Sequence, residues 1–223
     1  MAARVINRFC IILAKKNNKR NILKIKEPKR IPNTLIPEQV KALVAASGNK
    51  RDKFLICVLY ETGMRIGEAL GLRHEDIHSW NKVIQVIPRR NEKRARAKSN
   101  EQRSIDISSE LIQLYTDYVV YDFDEIDSNY VFVNIWSENI GSPLTYSTIY
   151  TKFRRIAKKQ GIPFSPHIFR HTHATELLRS GWDASYVQKR LGHKDIQTTI
   201  SIYAHLNSQD LKQAFQNFQK DKQ

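Results

Sequence analysis

Apolar positions first become periodic near Thr34, where Pro37 suits the first turn of a helix and Val40, Leu43 and Val44 share one face of it. The next run, "RDKFLICVLYETG", is apolar nearly all round after its charged start, which predicts a buried helix that Gly63 terminates. A further helix is expected to open at Met64. The period then changes. "VIQVI" at 83–87 and "RSIDI" at 103–107 read as two strands of a hairpin joined by the basic "PRRNEKRARAKSNEQ", and "YVFVNIW" at 130–136 is a third strand candidate. From Thr145 the helical period returns: Tyr146, Ile149, Tyr150, Phe153, Ile156 and Ala157 form a stripe, with Lys152, Arg154, Arg155, Lys158 and Lys159 mainly off it, until Gly161 and Pro163. From about Pro166 to Phe218, helical stretches alternate with turns at Gly181 and Gly192. The pattern is mainly helical with a small sheet.

Charge changes this picture from a fold to a partner. Among 223 residues, 37 Lys and Arg against 22 Asp and Glu give a net charge of +15. Such an excess points to a polyanion, with double-stranded DNA or another nucleic acid ahead of an anionic membrane. The longest apolar run, "FLICVLY" at 54–60, is far short of the roughly 20 residues that span a bilayer. "MAARVINRFCIILAKK" is interrupted by Arg4 and Arg8 and has no small-residue cleavage site, so it reads as a helix fragment rather than a leader. Two cysteines, Cys10 and Cys57, offer neither a disulfide framework nor a thiolate cluster, and a cytoplasmic location is expected. The charged, proline-containing segment 15–33 suits an extended linker.

Three histidines crowd into "SPHIFRHTHATELL": His167, His171 and His173, with Arg170 among them. His167 and His171 have the i, i+4 spacing of zinc hydrolases, but Ile168 stands where the zincin glutamate would be, and a permanent guanidinium beside a cation is unfavourable. An anion would welcome that arginine. No metal is expected.

Four separated features need one explanation: "TGMRIGEALGLRHEDI" at 62–77, the basic hairpin, "HIFR" at 167–170, and "LGHKDIQTTISIYAH" at 191–205. In order they hold Arg65 and Glu68, Lys98, His167 and Arg170, then His193 and Tyr203. This order and spacing resemble the tyrosine recombinases, the phage integrase family, over roughly residues 34–206. The two C-terminal motifs carry most of the specificity: HxxR, LGH 23 residues beyond its arginine, TT, then Tyr203 followed by alanine and histidine. Lys98 fits the family's hairpin lysine because Arg103 lies five residues on, and Lys93 competes for the assignment. Ala97 stands where the family has glycine, Asp106 where proline is common, and ten positions separate His193 from Tyr203 where many members have nine.

The resemblance implies an α+β fold, mainly α-helical with a small three-stranded antiparallel sheet. It also implies a DNA recombinase of a mobile element that cleaves and rejoins strands through a 3′-phosphotyrosine, needing neither ATP nor metal. Arg65 and Arg170 would clamp the phosphate with guanidinium forks that lysine cannot reproduce. Tyr203 would attack, with His167 taking its proton, since a free phenol of pKa about 10 is rarely ionised at neutral pH. Lys98 would protonate the leaving 5′-oxygen, His193 would donate to a phosphate oxygen, and Glu68 would orient Arg65. Arg89, Arg90, Lys93, Arg94, Arg96, Arg154 and Arg155 are expected along the duplex.

Each residue alone has a plainer reading: Arg65 with Glu68 as a surface pair, Tyr203 as core, and His171 and His173 as structural or groove-facing. Their joint occurrence in order outweighs these. The acidic "YDFDEID" at 121–127 lacks a calcium-loop glycine and a partner cluster, so it is expected to be a solvated loop. Residues 1–33 are read as the end of an upstream segment plus linker, without the family's N-terminal core-binding domain. Residues 34–206 are read as the catalytic domain. Residues 207–223 are read as a helical tail whose stripe Leu211, Ala214, Phe215 and Phe218 is expected to pack in cis or on a neighbour. A tetramer on paired sites, associated with the bacterial nucleoid, is the expected assembly. The rivals are a DNA-binding module without chemistry and a type IB topoisomerase-like nicking and closing enzyme.

Overall fold

The computed structural model describes residues 34–89, 102–136, 138–165 and 167–193, together with positions 199 and 219. The expected linker, all but one residue of the tail, and most of the hairpin tip lie outside these residues.

Helix α1, Pro37–Ala45, starts on its proline and buries Val40 and Leu43. Helix α2, Lys50–Thr62, is opened by the Asn49 side chain, which accepts from the backbone N–H of Asp52, and closed by Gly63 in the left-handed region at φ 61°. Its Phe54, Leu55, Ile56, Val58 and Leu59 are all buried. Helix α3 spans only Ile66–Ala69, shorter than the expected helix from Met64. A 3₁₀ turn at His74–Asp76 leads into β1, Ile77–His78. Strands β2, Val83–Val86, and β3, Arg103–Asp106, complete a three-stranded antiparallel sheet in the order β1-β2-β3. Ile84 faces Ile105 across the pair, and both are fully buried.

The sheet therefore has the expected number of strands but not the expected third one. Residues 130–136 make only isolated bridges, Arg73 with Tyr130 and Val133 with Pro143. The reason lies in the backbone partners rather than in burial: Val131, Phe132 and Val133 are all buried, as the residues of a strand covered on both faces also are. Their backbone groups find scattered partners instead of a ladder. Val131 N donates to Leu72 O, Leu144 N to Phe132 O, the Tyr118 hydroxyl to Val131 O and Arg51 Nη1 to Val133 O.

Helix α4, Ser109–Tyr121, follows the sheet and is capped by the Ser108 hydroxyl, which accepts from Leu111 N. Helix α5, Tyr146–Lys159, buries Ile149, Phe153, Ile156 and Ala157, but Tyr146 is exposed and stacks on Tyr150 with ring centroids 6.0 Å apart. Helices α6, Ile168–Arg179, and α7, Ala184–Leu191, follow. Asp124, Glu125 and Asp127 of the acidic stretch are exposed.

Helix α2 is the axis of the core, packed against α1, α4 and α6. Phe54 lies among the rings of Tyr115, Tyr118 and Phe132. At the N-terminal end of α2 a buried Asp52 carboxylate holds Arg51 and Lys152. The C-terminal end of α2 abuts a smaller cluster between α6 and α7, formed by Ala174, Leu178, Val187 and Leu191.

Candidate functional site: a guanidinium cluster at the end of α2

Gly63 sets the geometry. A Cβ there would lie 2.6 Å from Leu191 Cδ2 and 2.7 Å from His173 Cδ2, so α2 approaches α6 and α7 as closely as it does only without a side chain. The Gly63 carbonyl accepts from Arg170 Nη1 at 3.0 Å, linking the turn to α6.

Two residues on, Arg65 precedes α3 and Glu68 reaches back over it. The Glu68 Oε2 accepts from the Arg65 backbone N–H at 2.9 Å and Oε1 from Arg65 Nη1 at 3.1 Å. Both Nη groups of Arg65 also donate to the Gly192 carbonyl at 3.2 Å. A second arginine shares this carboxylate. Arg103, which opens β3, donates Nη2 to Oε2 at 2.7 Å and Nη1 to Oε1 at 3.3 Å, while its Nε reaches the Arg190 carbonyl at 2.8 Å. Burial pushes the Glu68 carboxyl up, but the hydrogen bonds and charge of Arg103, then of Arg65, more than offset it and hold the group below its ordinary value.

Arg170 is 7% exposed, and its Nε donates to His193 Nε2 at 3.1 Å. Its Nη2 is buried and has no hydrogen-bond partner among the described residues. Burial, then the charges of Arg65 and Arg103 against the relief of Glu68, pull its guanidinium down to about 9, so it stays charged at neutral pH. His193 accepts from Arg170 on Nε2, so its proton sits on Nδ1 and is directed to Thr199 Oγ1, 2.8 Å away. Burial and the neighbouring arginines bring its pKa to about 3, making it neutral. Both ring nitrogens are thus engaged within the protein, whereas the sequence suggests a donor to phosphate.

The three crowded histidines separate. His167 precedes α6 and is exposed, with its ring 6.5 Å from that of half-buried His171. His173 is buried and accepts from Arg190 Nε at 3.1 Å; burial and the Arg190 and Arg170 charges bring it to about 3. It is a packing residue under Gly63. Among the described residues no three His, Cys, Asp or Glu side chains converge as metal ligands would.

This arrangement suits an oxyanion. Two guanidinium groups share one carboxylate, a third feels its charge, and the buried Nη2 of that third finds no acceptor among the described residues. The model of the phage integrase family matches residues 33–210. The chain belongs to that family.

Its relatives include transposase A of transposon Tn554 from Staphylococcus aureus, 43% identical over 206 residues, which cover 92% of this chain and 57% of the transposase. The tyrosine recombinase XerD of Halalkalibacterium halodurans is 30% identical over 200 residues, covering 86% of this chain and 64% of XerD. The chain therefore spans little more than half the length of the first of these integrase relatives. Among solved structures, the XerA recombinase has a TM-score of 0.69 at 30% identity, over 86% of this chain and 66% of XerA. The Tn1549 transposon integrase in complex with transposon right end DNA scores 0.68 at 25% identity, over 86% of this chain and 67% of that one.

Arg65, Glu68, Arg170 and His193, chosen from integrase motifs far apart in sequence, are brought together, with His167 at the head of the helix that carries Arg170. Tyr203, Lys98, Arg90, Lys93, Arg94 and Arg96 lie outside the described residues. Arg154 and Arg155 are exposed on α5. Arg89 is turned inward onto Asp76 and Glu75, at 3.1 Å from the latter. The integrase motifs did not single out Arg103 as part of this cluster. Its one signal was its fixed place at the opening of the strand after the basic loop.

Proposed function

We propose that this chain is the catalytic part of a DNA recombinase that cuts and rejoins duplex strands through a 3′-phosphotyrosine on Tyr203. The observation that carries the reading is that Arg65 and Arg170 stand near enough for their charges to act on each other, while the buried Nη2 of Arg170 has no hydrogen-bond partner among the described residues. A phosphodiester repels nucleophiles, and charged forks on its non-bridging oxygens lower that barrier. Arg65 and Arg170 clamp the phosphate, and Glu68 holds Arg65 in aim. Tyr203 Oη bonds to phosphorus as His167 accepts its proton, and the bond to the 5′-oxygen breaks as Lys98 supplies a proton to it. The reverse step, with a second strand's 5′-hydroxyl, rejoins DNA and conserves the bond energy, so no ATP or metal enters.

His193, neutral and bonded to Arg170, fixes the fork's orientation in this arrangement, and donation to phosphate requires its Nδ1–H to leave Thr199. Arg154 and Arg155 on α5, and the basic loop with Arg89, Arg90, Lys93, Arg94 and Arg96, neutralise the flanking backbone. Arg89 has to leave its two carboxylates to do so. The Tn1549 integrase in complex with transposon DNA, and XerH bound to its palindromic site in a post-cleavage complex, support a DNA substrate. Action as a tetramer on paired sites, in the bacterial cytoplasm and on the nucleoid, follows from the same reading. Among the described residues no helix is long and apolar enough to cross a membrane.

The test is incubation in EDTA with a pool of nicked duplexes of randomised sequence, followed by recovery of denaturant-resistant protein–DNA adducts. Wild type is expected to form them and Tyr203→Phe to form none. An adduct with Tyr203→Phe refutes the nucleophile. DNA binding without any adduct favours a module without chemistry, and relaxation of supercoiled plasmid without paired sites favours a topoisomerase-like activity.

A further inference from the structure

Arg103 is placed where a hairpin arginine would ordinarily be available to DNA, yet its side chain is only 9% exposed and its bonds to the described residues run inward. It forks over the Glu68 carboxylate, and its Nε is tied to the Arg190 carbonyl near the end of α7. The last turn of α7 is shaped for this. Gly192 sits in the left-handed region at φ 67°, and a Cβ on it would lie 2.8 Å from Arg103 Nη1. The carbonyl of that same Gly192 receives both Nη groups of Arg65. Arg65 and Arg103 thus share two anchors, Glu68 and the Arg190–Gly192 turn.

We propose that Arg103 is a positioning residue for the phosphate clamp: it sets the aim of Arg65 through Glu68 and fixes the α7 turn that delivers His193 to Arg170. Without Arg103, half the hydrogen bonds to Glu68 vanish and the carboxylate becomes free to draw the Arg65 fork fully onto itself, away from a phosphate. The α7 turn also loses one of its two arginine ties. Arg103 need not touch DNA for this. The inference rests on the proposed recombinase reading and assigns it a further residue.

The test compares wild type, Arg103→Gln and Arg103→Lys of the full chain on a nicked duplex taken from the adduct-forming pool. A matched duplex carries a single neutral methylphosphonate at the scissile position. Removing the non-bridging charge removes the need for an aimed clamp, which a purely structural defect would not notice. Arg103→Gln is expected to form adduct roughly tenfold or more slowly on the phosphodiester, as small misplacements of a positioning group do. It should bind the duplex in gel shift within about twofold of wild type and cleave the methylphosphonate within about threefold of it. Should Arg103→Gln lose its melting transition, Arg103→Lys decides, because it keeps a charge beside Glu68 but cannot hold both oxygens and the Arg190 carbonyl at once. The same slowing and relief are expected of it. A phosphodiester rate at the wild-type level in a folded variant, or a defect equally large on the methylphosphonate, overturns the proposal. Absence of adduct with wild type itself overturns the recombinase reading, and this inference with it.

Discussion

Replacing Glu68 by glutamine probes the centre of the cluster with the least change of shape. Four N–H donors converge on the carboxylate: the Arg65 backbone N–H, Arg65 Nη1, and Arg103 Nη1 and Nη2. The glutamine amide oxygen can serve the donors on one side, but its NH2 faces those on the other, leaving two donors without an acceptor. Each buried donor left unsatisfied costs about 1–3 kcal/mol. The cluster also loses its one negative charge, and removing one partner of a buried ion pair typically costs about 3–5 kcal/mol. These overlap, so a loss of about 3–5 kcal/mol is expected at pH 7. With a urea m-value of about 2 kcal/mol/M, the unfolding midpoint should fall by about 2 M. The pH dependence gives a second check. Because the folded pKa of Glu68 lies below its ordinary 4.5, its contribution is fully present above that value and is lost as pH falls through the folded pKa. The gap between wild type and Glu68→Gln must therefore narrow in acid. A loss under about 1 kcal/mol at pH 7, or a gap that does not narrow, refutes the shared-carboxylate account.

Two other substitutions test separate links. Gly63→Ala places a side chain at φ 61° and within 2.7 Å of His173 and Leu191. About 1–2 kcal/mol of left-handed strain and about 1–3 kcal/mol of overpacking should lower the melting temperature by roughly 5–15 °C, and an unchanged melt would refute the close packing. Arg154→Ala with Arg155→Ala leaves the core untouched but should lower the slope of log affinity against log salt for duplex DNA by about 1–2, and an unaltered slope removes both from the interface.

How much of this was readable beforehand depended on whether a residue's neighbours were local. The Gly63 stop, the α1 proline, the β2–β3 strand pair and the α5 stripe, apart from exposed Tyr146, follow from short-range rules and stand where the pattern put them. "YVFVNIW" looked like a strand because it is apolar and β-branched. Its backbone partners, Leu72, Pro143, Arg51 and Tyr118, come from four other segments, which periodicity does not register. The short β1 at Ile77–His78 gave no alternation to detect. Helix α4 had legible signals, a Ser108 cap with Leu111 and Tyr118 seven apart, yet its mixed polar and aromatic surface masked them. At the site, Arg65, Glu68, Arg170 and His193 were legible through motif order. Arg103 stood out only as the arginine five residues beyond Lys98, and that spacing does not say that Glu68 and Gly192 lie beside it. The inward turn of Arg89 onto Asp76 escaped for the same reason.

The charge balance of the cluster leads to one more consequence. Arg65, Arg103 and Arg170 bring three positive charges, Glu68 returns one, and His193, with its pKa brought to about 3, adds none near neutrality. Among the described residues this cluster thus holds an excess of two positive charges in a partly buried place, with an Arg170 Nη2 N–H group that none of them accepts from. A tetrahedral oxyanion satisfies that N–H and offsets the repulsion, and it does so only in the folded state, where these four segments meet. Inorganic phosphate should therefore stabilise the fold by mass action, by about 2.7 kcal/mol at a hundred times its dissociation constant. Phosphate also strengthens apolar burial in any protein, so the measurement is the difference between two proteins in thermal melts at matched ionic strength with chloride. In Arg170→Lys the charge stays but the fork is gone, since a lysine cannot donate to Gly63, His193 and an oxyanion from one planar group. Wild type should gain more from phosphate than this variant does. Equal gains would mean that the stabilisation is a general salt effect and that the unpartnered Nη2 is not where an oxyanion binds.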